Sequence, residues 1–311
     1  MEGFWLENRL SKFDYIVSLI IILLITANVA SFFFGVKYGA DEMETKYLAM
    51  INKDKMPDRS KDSYHQQHIV SYYYTVFQPM IDFEKNWFKL YNSLIYNDSA
   101  SNRSEQIKAL TSTINEELKS IEAIEMPASS SLLVDSQQNA LKSLTLFKEV
   151  AESLQNMRNS TEQNKWLSKV QEDGNYLQAR NFALLSRQQY YTAIVEWNKT
   201  INSQIEGLPL LGKKSVTIDE WKTLNLNLKN QLVSQILNTA KNYTQAMPQD
   251  FVGRIDEMIR SGQAADMNLD TISEIIKTLS ATRAVNKGDF SLLQDKYYAE
   301  EFVPAIPIYT N

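Results

Sequence analysis

Residues 104–124 read SEQIKALTSTINEELKSIEAI, and this stretch decides the fold class. Ile107, Leu110, Ile114, Leu118 and Ile121 recur at three- and four-residue steps, so one face of a helix is apolar and the rest is polar. Ser104 is placed to cap its start, and Met126-Pro127 stops it. The same period extends in both directions. Upstream, a helix is expected over 63–96, kinked or restarted at Pro79. Downstream, Ser129 to Ser131 cap a third helix to Met157, with Leu133, Leu141, Leu144, Phe147 and Leu154 as its stripe.

A long fourth helix is expected from Thr161 to Glu206, with Asp173-Gly174 inside its pattern. Gly207, Pro209 and Gly212 mark a break. Thr217 with Glu220 forms a capping box that opens a fifth helix to Met247, ended by Pro248. Three shorter helices follow: 249–260, one opened by a second capping box (Thr271 with Glu274), and one after Gly288. The terminal VPAIPIYTN is expected to lie extended on the bundle through Ile306, Ile308 and Tyr309. No alternating strand pattern and no internal repeat is present. The expected fold class is all-α: an N-terminal transmembrane helix followed by an elongated bundle of about seven helices.

The transmembrane expectation rests on Tyr15 to Val36, YIVSLIIILLITANVASFFFGV, which carries no charge. At about 1.5 Å per residue it reaches roughly 33 Å, enough for a hydrocarbon core of about 30 Å. Asn28 is its only strongly polar side chain, and an intramembrane helix–helix contact there would satisfy it. A cleaved leader is the rival reading. Its best site, Asn28-Val29-Ala30, is poor, and Phe32 to Phe34 continue the apolar run beyond it. The expected organisation is a cytoplasmic stub (1–14), a transmembrane helix (15–38), a linker (39–63), a bundle with one long helix (64–207) and a C-terminal helical part packed on it (208–311). Lys37, Lys46, Lys53 and Lys55 outnumber Arg9 and Lys12, which leans against this orientation, but large domains translocate despite such charges. The inverted topology therefore stays open.

The 311 residues contain no Cys and two His, which removes disulfide frameworks, thiol catalysis and Cys-based zinc sites. A net charge of −5 argues against a nucleic-acid partner. No P-loop, nucleophile elbow or zinc-protease helix motif occurs. His65 and His68 share a helical face, with Asp62 one turn earlier; as a metal site this is incomplete, and a solvated or aromatic-packed pair is the preferred reading. The stretch 72–87, YYYTVFQPMIDFEKNW, is rich in aromatics. Helix core plus rim is the preferred reading; an interaction surface of Tyr72, Tyr73, Tyr74, Phe77 and Trp87 is the alternative. Glu116 and Glu117, Glu122 and Glu125, and Glu300 and Glu301 are adjacent in sequence only, and solvated helix faces explain them. No cofactor is expected.

Two segments carry a resemblance: HIVSYYYTVFQPM (68–80), and MIRSGQAADMNLDTISEIIKTLSATRAVNKGDF (258–290) leading to YYAEEFVPAIPIY. Together they resemble uncharacterised single-pass helical membrane proteins of Gram-positive bacteria. The resemblance implies an exported helical domain and brings no catalytic residue with it. The expected role is a membrane-tethered, non-catalytic extracytoplasmic interaction or scaffold protein. Its partners would be the lipid bilayer and a protein of the membrane or cell envelope. A ligand-sensing bundle that signals through a partner membrane protein is the alternative.

Overall fold

The computed structural model describes residues 64–96, 100–156, 166–202 and 215–309. The stub, the transmembrane segment with Asn28, the linker with Asp62, the Thr161 cap and most of the break around residues 207–214 lie outside the described residues. Among the described residues the fold is all-helical, with no strand and one isolated β-bridge. None of these helices is long and apolar enough to cross a membrane.

The chain enters through α1 (Gln66–Tyr72), a π-helical turn (Tyr73–Phe77) and α2 (Gln78–Ile95). Pro79 has no amide, and its ring would collide with the carbonyl one α-turn earlier. Here the helix widens instead: the Gln78 amide bonds to the Tyr73 carbonyl, five residues back. Pro79 then sits in the first turn of α2, where a missing amide costs least. The interruption expected at Pro79 is thus a change of winding.

Next come α3 (Ala100–Glu122) and α4 (Ser131–Asn156). Ser104 lies inside α3 and does not cap it. The expected fourth helix is two helices, α5 (Trp166–Glu172) and α6 (Gly174–Ile201). Asp173 has extended backbone, and its Oδ1 accepts from the amides of Asn175 (2.8 Å) and Tyr176 (3.0 Å). A side chain that satisfies two otherwise unpaired amides favours a new helix start over continuation. Asp173→Ala should lower the unfolding free energy by about 1 kcal/mol, measured by urea titration, and Asp173→Asn by less.

The expected fifth helix is also broken. After α7 (Ile218–Lys222), Asn225 accepts from the Leu228 amide (2.9 Å) and opens α8 (Leu226–Thr239). Pro248 does not end a helix; it opens α9 (Pro248–Arg260). The remaining helices are α10 (Gln263–Asp266), α11 (Ile272–Ala281) and α12 (Asp289–Tyr297). These breaks are why the described residues hold more helices than the seven expected.

Both capping boxes form as expected. They also meet. Thr217 and Thr271 form the β-bridge, with the Ile218 amide on the Asp270 carbonyl (3.2 Å) and the Ile272 amide on the Val216 carbonyl (2.9 Å). Helices α7 and α11 therefore start side by side.

All described residues belong to one compact unit. The most extensive packing is α4 on α6; α3 covers α4, α2 covers α3, and α8 covers α6 on its other side. Helix α9 joins α8 to α12. The α6–α8 contact spans the boundary expected at 207/208. Trp87 anchors the core, with Phe147 at 4.7 Å and Tyr176 at 5.3 Å between ring centres. At the C-terminus Ile306 and Tyr309 are buried and Ile308 is half-buried; the Tyr309 hydroxyl accepts from Asn230 Nδ2 (2.7 Å).

Candidate functional site

The aromatic stretch after the chain's entrance turns inward. Tyr72, Tyr73, Phe77 and Trp87 are buried, and of the five residues of the alternative surface only Tyr74 is exposed, at 57%. The surface reading is corrected on this point: these rings supply core contacts. Tyr72 stacks on Tyr190 at 4.9 Å and Phe77 lies 4.5 Å from the same ring. The Tyr72 hydroxyl bonds Ser136, whose own hydroxyl donates to the Ser186 carbonyl (2.7 Å). Burial pushes the Tyr72 hydroxyl well above its usual range, and burial first, then Tyr74 and Asp82, push Tyr73 up to about 12. These phenols stay neutral at physiological pH.

Behind the π-turn lies the strongest polar feature of the core. Glu84 on α2 and Arg187 on α6 are 3% and 5% exposed, and Arg187 Nη2 donates to both carboxylate oxygens at 2.8 and 2.7 Å. Burial pushes the Glu84 carboxyl up, and Arg187 opposes that shift. Arg187 Nη1 has no protein partner. The pair borders a cavity of about 10 Å³ lined by Tyr72, Phe77, Met80, Ala183, Ser186 and Met247. That size matches about one water molecule. The cavity cannot admit an organic substrate, and the one carboxylate beside it is held by a guanidinium. General acid–base chemistry needs a carboxyl free to exchange a proton with a reactant, which this arrangement does not offer.

Two further buried acids hold helices together. Asp256 on α9 accepts from Trp221 Nε1 (2.6 Å), Lys229 Nζ (2.8 Å) and the Tyr298 hydroxyl (2.6 Å). Asp250 accepts the amides of Met247 (2.9 Å), Gly288 (3.0 Å) and Phe290 (3.1 Å), so one carboxylate caps both α9 and α12. Burial raises its pKa, against the pull of those three amides. Of the acid pairs noted in the sequence, Glu116, Glu122, Glu125 and Glu300 are exposed. Glu301 accepts from the Leu226 amide at the start of α8 (3.2 Å).

His65 and His68 do come together, with ring centres 5.3 Å apart, but edge to face. His68 Nδ1 is committed to the Ser130 hydroxyl at 3.0 Å. Among the described residues no group of three or more His, Asp or Glu side chains converges as a metal site would require. His68 packs at the start of α4, and Asp62, the third candidate, lies outside the described residues.

Glu84, Arg187, Lys229 and Asp256 were not singled out from the sequence. Their one-dimensional signal was a charge on an apolar stripe: Glu84 falls between Met80 and Trp87, and Arg187 between Leu184 and Tyr191. Comparison of the chain with protein-family models, curated proteins and solved structures finds no match to any of the three.

Proposed function

We propose that the chain is a non-catalytic helical interaction module, tethered to a membrane through residues 15–38 and presenting its bundle on the extracytoplasmic side. The observation that carries this reading is the uncharged run Tyr15 to Val36. The bundle adds support. Its buried Glu84–Arg187 and Lys229–Asp256 pairs and the double cap at Asp250 fix helices in place, which suits a rigid scaffold. The resemblance to single-pass helical membrane proteins of Gram-positive bacteria points the same way, and a protein partner of the membrane or envelope follows from a tethered bundle.

A chain with no Cys allows a direct test of topology. Ala128, exposed in the loop between α3 and α4, is a suitable position for Ala128→Cys. Intact cells producing the full chain are treated with a membrane-impermeant maleimide. Labelling before lysis is the expected result. Protection until lysis inverts the topology, and release of the chain from membranes by alkaline carbonate removes the tether.

A further inference from the structure

The segment that leads into the bundle closes on the N-terminus of α4 in an unusual way. A helix leaves its first amides unpaired, and a serine just before it commonly caps them with its own side chain. Here the Leu132 amide donates instead to the hydroxyl of Tyr64, at 3.1 Å. The Ser130 side chain, freed of that task, bonds His68 Nδ1 at 3.0 Å. Ser130 is fully buried, and His65 stands edge-on to His68 on the other side. The first residues of the described chain are thus fastened 62 to 68 positions away, at the positive end of a 26-residue helix, by one tyrosine and one histidine.

We propose that Tyr64, His65 and His68 form an acid-released latch on the N-terminus of α4. Above the ordinary histidine range the neutral His68 ring shares a hydrogen bond with Ser130. A charged ring can only donate from Nδ1 to the Ser130 oxygen. It also places a positive charge at the positive end of α4 and beside a second histidine, and both effects of that charge oppose closure. Among the described residues, ionisable groups that contact this segment include Tyr64, His65 and Tyr190, whose hydroxyl donates to the Ile69 carbonyl. Of these only His65 acts on His68, and in the same direction as burial, which is the larger cause: both lower its pKa from 6.5. Closed, the latch binds protons less readily than open. Its stability is therefore present above about pH 6.5 and lost as the pH falls through that value toward the lowered pKa. The latch stands independently of the tethering reading. With the tether in place, its release would uncouple the bundle from the segment that carries it.

The test is hydrogen exchange on the full chain at about pH 7.5 and about pH 5, corrected for intrinsic rates. Protection of the Leu132 amide, which donates to the Tyr64 hydroxyl, should fall at the lower pH, because the closed latch binds protons less readily than the open one. Amides of α12 should not follow. His68→Gln, which keeps a hydrogen-bonding group and cannot charge, should abolish the pH dependence; Ser130→Ala should weaken protection at both values. A flat wild-type response, a His68→Gln chain that responds like wild type, or equal loosening of α12 overturns the latch. A proton NMR titration of wild-type His68 serves if the variants do not fold. A midpoint below 6.5 supports the latch, and one at or above 6.5 overturns it.

Discussion

Arg187→Met should lower the unfolding free energy by about 3–5 kcal/mol, because it leaves a carboxylate buried without its counter-charge. Glu84 is 3% exposed, and both of its hydrogen bonds to Arg187 come from a single nitrogen, Nη2. Of the cavity-lining side chains Tyr72, Phe77, Met80, Ile81 and Met247 none is a cation, and Lys287 is the weakest of the groups that favour the charged carboxylate. The loss should also depend on pH, with a definite sign. Burial already pushes the Glu84 carboxyl up, and Arg187 is the main force holding it down. Without Arg187 the folded chain binds a proton more tightly than the unfolded chain. The variant's deficit is then largest at neutral pH and shrinks as the pH falls toward about 4.3, the usual glutamate value. Urea titrations of wild type and variant at about pH 7 and about pH 5 measure this. The double variant Glu84→Leu/Arg187→Met should recover most of the loss, since an apolar replacement of a buried pair is often neutral or better. A double variant as unstable as the single one would mean that packing, not charge, explains the defect.

That pair also shows what the sequence could reveal and where it stopped. The stripe from Ile107 to Ile121 placed α3 because a one-sided apolar period has one structural solution, and Ile107, Leu110, Ile114 and Ile121 are all buried. The capping boxes at Thr217 and Thr271 were legible for the same reason: the partners lie three residues apart. The breaks at Asp173 and Asn225 were missed because the apolar period runs through them while a single side chain redirects the backbone. Pro248 was read as the end of one helix just before another at 249–260; that second helix is there and Pro248 opens it, while the first already ends at Thr239. The aromatic run 72–87 could not be divided into core and rim until the widened turn before Pro79 set the direction of each ring. Glu84 and Arg187 lie 103 positions apart, and nothing local announces such a partnership. A charge on an apolar stripe says only that a partner is required. Which residue supplies it is decided when two helices pack.

Asp256→Ala should be at least as damaging as Arg187→Met, and harder to repair. Its carboxylate draws together Trp221 of α7, Lys229 of α8 and Tyr298 just after α12, and it is itself 5% exposed. Removing it strands a buried ammonium, for about 3–5 kcal/mol, and leaves the Trp221 indole without an acceptor, at about 1–3 kcal/mol where no water replaces it, while the Tyr298 hydroxyl keeps the Val252 carbonyl at 3.4 Å. The Lys229 ammonium also lies 5.2 Å from the centre of the Trp221 ring, so part of its attraction survives the substitution. The expected outcome is a chain that unfolds at the lowest denaturant concentration of the variants considered, followed by circular dichroism and by Trp fluorescence. Here the compensating experiment separates charge from hydrogen bonding. Asp256→Ala/Lys229→Met removes the stranded charge but not the unpaired indole donor, so it should recover only part of the loss. Asp256→Asn/Lys229→Met restores an acceptor for the indole and should recover more. Full recovery in the first double variant would reduce Asp256 to a simple ion-pair partner. The graded recovery instead identifies it as the joint that holds α7, α8 and α9 and the end of α12 in register.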